Sequence, residues 1–181
     1  YEEQVDIVSI PGANPDRTVT LSSQSGDTSD VLLRFAPAHR DMNYVLRLFG
    51  ADFITVENLK MSSEGDSYAR VIDLYLGADS ITIRNNALQS QFSSNNDADH
   101  AIIYSPDSYY HSRVISNNTF HDCSYGIHMR RSQNNVPRPI GTVIRQNAFK
   151  NSGYAGIYLQ YHDAPHITGN DVKAGVYGIQ A

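Results

Sequence analysis

Gly50-Ala51-Asp52-Phe53-Ile54-Thr55-Val56-Glu57-Asn58 recurs as Gly77-Ala78-Asp79-Ser80-Ile81-Thr82-Ile83-Arg84-Asn85. Three looser copies follow: Arg113-Val114-Ile115-Ser116-Asn117-Asn118-Thr119-Phe120, then Thr142-Val143-Ile144-Arg145-Gln146-Asn147-Ala148-Phe149, then His166-Ile167-Thr168-Gly169-Asn170-Asp171-Val172. Self-similarity of this kind is the mark of a repeat architecture. Aligned, single columns keep their chemistry. One column reads Val56, Ile83, Ile115, Ile144, Ile167, and another reads Met61, Leu88, Phe120, Phe149, Val172. Between them lies Leu59, Asn86, Asn118, Asn147, Asn170. Successive copies are 27, 32, 29 and 23 residues apart. A solenoid gives such spacing, because insertions go outward while each coil keeps its core positions.

A second short strand precedes each copy: Leu46-Arg47-Leu48, Ile72-Asp73-Leu74, Ala101-Ile102-Ile103, Ile127-His128-Met129 and Ile157-Tyr158-Leu159. Each alternates an inward apolar residue with an outward one. In the third of these, either Ala101 and Ile103 or Ile102 and Tyr104 face inward. Gly126 and Gly156 lead into two of the strands and suit a sharp bend. A sandwich would give antiparallel strands without column identity. The reading is therefore all-β, a right-handed parallel β-helix of about six to seven coils. Parallel stacking sets equivalent residues about 4.8 Å apart. Asn86, Asn118, Asn147 and Asn170 in one column then predict a ladder of side-chain amide hydrogen bonds.

Residues 1–43 continue the theme less regularly, with strands at Val5-Asp6-Ile7, Val19-Thr20-Leu21 and Val31-Leu32-Leu33. Residues 44–181 carry the regular coils. Long loops are expected at 89–100, 105–112 and 130–141. Residues 1–181 read as one domain. The chain opens at Tyr1 without a signal peptide and closes at Ala181 inside a strand pattern. It is read as a fragment of a longer chain, with further coils or end-to-end self-association covering its ends.

The composition narrows function without fixing it. Charged residues make up 18% and the net charge is −5, with no Lys/Arg run. That excludes the basic footprint of a nucleic-acid binder. No apolar stretch reaches the roughly 18 residues of a membrane span. Cys123 is the only cysteine, so a disulfide framework is excluded and a small core residue is expected.

Ile-Arg-Asn-Asn-Ala-Leu at 83–88, Ile-Ser-Asn-Asn-Thr-Phe at 115–120, Gly-Ile-Tyr-Leu at 156–159 and Ile-Thr-Gly-Asn-Asp-Val at 167–172 resemble parallel β-helix repeats of the pectate-lyase-like superfamily. Tyr1-Glu2-Glu3-Gln4-Val5 and Thr18-Val19-Thr20-Leu21 resemble the start of β-helix domains in large secreted bacterial surface proteins. The resemblance implies a secreted or cell-surface bacterial location. It implies no single activity, since the same coil carries lyases, hydrolases, epimerases, tailspikes, adhesin stalks and some copper-delivery proteins. Epimerases of this fold use Asp-Pro-His; Tyr161-His162-Asp163-Ala164-Pro165-His166 holds the letters in the wrong order. The acidic calcium cluster of pectate lyases has no evident equivalent.

The resemblance also implies that ligands lie on the sheet formed after each bend. Its outward positions read Arg47, Asp73, Ile102, His128, Tyr158 in one column and Phe49, Tyr75, Tyr104, Arg130, Gln160 in the next. Tyr109, Tyr110, His111, Arg131, Tyr161 and His162 are loop residues able to overhang it. An aromatic surface of this kind suits contact with sugar rings. Phe49, Asp73, Tyr75, Tyr158, Gln160 and Tyr161 are the candidate glycan-binding residues. The expected function is a non-catalytic scaffold or adhesion module facing polysaccharide or cell-surface glycan. The alternative is a polysaccharide lyase cleaving uronic-acid polymers by β-elimination. Tyr104 or His128 would then be the base, and Arg130 the cation that neutralises the sugar carboxylate. No cofactor is expected, although Asn95-Asn96-Asp97-Ala98-Asp99 offers oxygen ligands for calcium. His162 and His166 lie four apart off a helix, so no metal site is expected there.

Overall fold

Short runs that alternate apolar and polar residues fold as strands, and the turns between them close each run into a coil. The computed structural model describes residues 1–106, 112–131 and 140–181. The first coil holds β1 (Val5–Val8), β2 (Val19–Ser22) and β3 (Leu32–Phe35). The second holds β4 (Leu46–Phe49), β5 (Ile54–Glu57) and β6 (Lys60–Ser63). The third holds β7 (Ile72–Tyr75), β8 (Ile81–Arg84) and β9 (Ala87–Gln89). Next come β10 (Ala101–Ser105), β11 (Arg113–Ser116) and the long β12 (Thr119–Arg130), which ends one coil and starts the next. After β13 (Val143–Arg145), β14 (Ala148–Gln160) does the same. The chain finishes with β15 (His166–Thr168), β16 (Asp171–Ala174) and β17 (Tyr177–Gln180).

All neighbouring strands pair in parallel, and equivalent strands stack along three sides. The first side runs β1, β4, β7, β10, the end of β12, the end of β14 and β17. The second runs β2, β5, β8, β11, β13, β15. The third runs β3, β6, β9, the start of β12, the start of β14 and β16. The protein is a right-handed parallel β-helix, because parallel crossovers are right-handed in nearly all cases.

The core is a set of inward columns. Val5, Leu46, Ile72, Ile103, Ile127, Ile157 and Ile179 stand in register on the first side. Leu21, Val56, Ile83, Ile115, Ile144 and Ile167 do so on the second. Leu33, Met61, Leu88, Phe120, Phe149 and Val172 do so on the third. The Phe120 and Phe149 rings stack at 4.4 Å between centroids. Buried serines interrupt these columns, and one charged side chain does so too: Arg113, 2% exposed, pairs with Ile81 in register. Its guanidinium donates to the Ala78 carbonyl at 3.2 and 3.0 Å and to Ser105 Oγ at 2.9 Å, and burial pulls its pKa down to about 10.

The corner between the second and third sides is bent the same way in the second to sixth coils. Asn58, Asn85, Asn117, Gln146 and Gly169 all take the left-handed conformation, with φ between 54° and 63°. The next residue turns inward. Asn86 Nδ2 donates to Asn118 Oδ1 at 3.0 Å, Asn118 Nδ2 to Asn147 Oδ1 at 3.1 Å, and Asn147 Nδ2 to Asn170 Oδ1 at 3.0 Å. Gly126 differs from the expected bend. No positive φ is needed there; a Cβ would meet the Phe149 ring at 2.3 Å, so glycine serves close packing.

Candidate functional site

The outward column of the first side is set by alternation against the buried isoleucines. In register it reads Asp6, Arg47, Asp73, Tyr104, His128, Tyr158, Gln180. This corrects the third rung. Ile103 faces in, Tyr104 stands between Asp73 and His128 in the first column, and Ile102 is fully buried. Phe49 pairs with Tyr75, and Arg130 with Gln160, in the second column. Tyr109, Tyr110 and His111 lie outside the described residues. Tyr161 is half-buried just past β14, with φ 61°.

Two clusters share this face. The first is aromatic. The His128 ring is sandwiched by Tyr104 at 5.4 Å and Tyr158 at 4.8 Å, and Tyr125 meets its edge at 4.7 Å. Burial, with Arg130 and Arg70 nearby, pulls the imidazole down to about 4, so it is neutral at pH 7. Its Nδ1 is buried, with no hydrogen-bond partner among the described residues. Burial pushes the Tyr104 phenol up, so it stays protonated. Arg130, the proposed neutraliser, is exposed beyond the sandwich.

The second cluster is polar and surrounds a cleft of about 780 Å³ over β4, β7 and β10. The segment 96–99 forms its far wall. Arg70 lies over the Tyr104 ring at 3.6 Å and donates to Asp99 Oδ1 at 2.6 Å. Arg40 donates to Asp99 Oδ2 at 3.2 and 3.0 Å. Arg47 lies over the Tyr44 ring at 4.2 Å and donates to Asp6 Oδ1 at 2.7 Å. Asp73 sits among these groups, 6% exposed, with Oδ1 unpaired. Burial lifts its carboxyl to about 6 against the pull of Arg70 and Arg47. Phe49 and Tyr75 stack at 5.7 Å beside it and remain 36% and 38% exposed.

Asp6, Tyr44 and Arg70 complete the site and were not among the expected residues, and Asp99 was expected only as a calcium ligand. Asp6 was readable, since it is the outward residue of Val5-Asp6-Ile7. Arg70 and Asp99 come from segments flanking strands, where no periodicity marks them. The segment 95–99 is corrected as a calcium ligand set, because its oxygens already have protein donors. Asn95 O accepts from Ser124 Oγ and Asn96 Oδ1 from Tyr125 OH, both at 2.5 Å. Asp97 Oδ2 meets His100 Nδ1 at 2.7 Å, and Asp99 holds two arginines.

A stacked parallel coil with an aromatic and polar outer face defines a β-helical solenoid. More particularly, the chain belongs to the NosD family, described as periplasmic copper-binding protein, by a match over residues 22–181. No curated protein and no solved structure matches the chain. The family places the module in the bacterial envelope. Its copper-binding description overturns the expectation that the chain takes no cofactor.

The described residues do not themselves form a copper cage. Among them no three His, Cys, Asp or Glu side chains converge. Imidazole and thiolate are the donors copper prefers. Cys123 is buried, with its thiol pushed up to about 12 and Sγ 3.4 Å from Ser152 Oγ. His100 has Asp97 Oδ2 on one ring nitrogen and the Asp66 carbonyl on the other.

Proposed function

We propose that the chain works as a non-catalytic β-helical module of the bacterial envelope that holds a glycan against the outer face of its first side. In this reading the coil is used as in the pectate-lyase-like superfamily, with ligand laid across successive strands. The observation that carries it is the exposed Phe49–Tyr75 pair beside a walled polar cleft on the same face. Aromatic faces take the C–H side of a sugar ring, and neighbouring polar groups fix its hydroxyls. Affinity electrophoresis in gels containing single polysaccharides tests the reading. At least one polymer should retard the protein, and a Phe49→Ala, Tyr75→Ala double variant should run free. Unchanged mobility in every gel overturns it.

A second reading is β-elimination, favoured by the neutral imidazole of His128 next to Arg130 on one face. Rings on both faces of His128, with Tyr125 against its edge, restrict its reach to a substrate. Unsaturated products absorbing at 235 nm from a uronic-acid polymer, lost in His128→Ala, would replace the non-catalytic reading with this one. Family membership brings a third possibility, copper binding. Competition with a colorimetric Cu(I) chelator tests it: withdrawal of a stoichiometric equivalent supports it, and none overturns it.

A further inference from the structure

We infer that the cleft over β4, β7 and β10 takes a neutral polyhydroxylated sugar rather than an acidic one, and that Asp73 is the acceptor that orients its hydroxyls. This rests on the glycan-binding reading and names the ligand class for that site.

The arginines of the cleft look suited to an anion, but each already has a carboxylate. Arg40 and Arg70 share Asp99, at 3.0 and 2.6 Å, and Arg47 holds Asp6 at 2.7 Å. Arg70 is further fixed by the Ala98 carbonyl at 2.9 Å and by the ring of Tyr104. An incoming carboxylate or sulfate would find each guanidinium already neutralised and would compete with these aspartates for its remaining N–H donors. Among the described residues it would also enter a lining of three arginines against four aspartates: Arg40, Arg47 and Arg70 against Asp41, Asp73, Asp97 and Asp99. The local charge is therefore not positive, and like-charge contact disfavours acidic ligands.

Asp73 has the opposite need. It lines the cleft, 6% exposed, and its inner oxygen Oδ1 has no donor among the described residues, a costly state for a buried carboxylate that a donor on its cleft side would relieve. A hydroxyl supplies a donor without adding charge. The neighbours on each side are already engaged: Arg47 by Asp6, and Tyr104 by the guanidinium stacked on its ring. Neither completes the carboxylate. The exposed ring of Tyr75, which also lines the cleft, supplies an apolar platform beside that acceptor. An acceptor below and an aromatic plane alongside match a sugar that presents hydroxyls at its edge and C–H bonds on its face.

Isothermal titration with neutral hexasaccharides (maltohexaose, cellohexaose, xylohexaose, mannohexaose) and with hexagalacturonate tests this. A neutral member should bind at least tenfold more tightly than hexagalacturonate. Asp73→Asn keeps the shape of the side chain and should weaken that binding at least tenfold, with a melting temperature at or above that of the parent. Preference for hexagalacturonate, or neutral binding unchanged in Asp73→Asn, overturns the inference while glycan binding stands. Binding of none of the five, together with unchanged mobility in every polysaccharide gel, removes the glycan reading itself.

Discussion

Asp73 is held in the cleft at a cost to the fold. Burial raises its carboxyl from 3.8 to about 6, so across that window the folded protein keeps a proton that the unfolded chain has released. Stability from this group therefore falls as pH rises from about 4 to about 6, and the loss is complete above it. Asp73→Asn removes the titration. We expect the variant to be more stable than the parent at pH 7, by at most about 3 kcal/mol, and to lose most of that advantage at pH 4. Thermal unfolding of both proteins at the two pH values checks this; an equal difference at both would mean that Asp73 does not carry the shift. His128 acts in the other direction. With its imidazole pulled down to about 4, its contribution is lost as pH falls below the usual histidine value of 6.5. The variant comparison cancels that background. A stabilising substitution at Asp73 would be the usual trade between stability and function under the proposed ligand-binding role. Gly126 is the contrasting residue. A Cβ there would lie 2.3 and 2.5 Å from the Phe149 ring and 2.6 Å from the Gly156 carbonyl. Gly126→Ala should destabilise the protein by about 1–3 kcal/mol through overpacking, read as a lower denaturation midpoint at unchanged slope.

At the corner between the second and third sides, the third to sixth coils solve one problem with two adjacent residues. The first accepts a left-handed backbone, and the second turns its side chain in to satisfy the backbone groups that the bend frees. Asparagine and glycine tolerate the first position; Gln146, at φ 54°, does not share that ease. Gln146→Gly should therefore stabilise by about 1 kcal/mol, the scale of the left-handed penalty, seen as a higher denaturation midpoint. The second position is fully engaged in the inner coils. Asn118 donates to the Ile83 carbonyl at 2.9 Å and to Asn147 Oδ1, while its own Oδ1 accepts from both nitrogens of Asn86 at 3.0 Å. Asn118→Ala strands several buried groups at once and should cost about 3 kcal/mol or more. Asn170 is half-buried, and its loss should cost less. Equal losses at both positions would mean that the column is not held by burial. The strand columns were legible because parallel stacking repeats one environment in every coil, so Val56, Ile83, Ile115, Ile144 and Ile167 keep one chemistry. The third rung was not. Ala101-Ile102-Ile103-Tyr104 has apolar residues on both faces, because Ala101 packs outward with Tyr125 and Ala155 under neighbouring tyrosines while Ile103 fills the core. Period-two reading has nothing to grip there.

The molecule as a whole is a stack in which each coil touches mainly its neighbours, and this explains what the sequence shows and what it hides. Core identity is local and repeats, so the fold can be read from one coil. The cleft belongs to no single coil. It joins the outer faces of β4, β7 and β10 to Arg40, Arg70 and Asp99 from the segments between strands. Those residues repeat nothing and are positioned only once the coils are stacked. The same quasi-one-dimensional build sets the dynamics, since stability is a sum of coil and interface contributions. The inner coils are dry: β7 and β8 bury every inward residue. The outer ones are not, with β1 and β2 alternating half-buried and exposed residues and β17 exposed throughout. Opening should therefore start at both ends of the stack and move inward. In native-state hydrogen exchange, the amides of β7, β8 and β10 should be protected at least a hundredfold more than those of β1, β2 and β17. Uniform protection at one value would mean a single cooperative unit and would overturn the stepwise picture. The cleft spans the second to fourth coils, so the gradient places it where opening is rarest. In the proposed sugar-binding reading, that location keeps the acceptor at Asp73 fixed enough to tell one sugar from another.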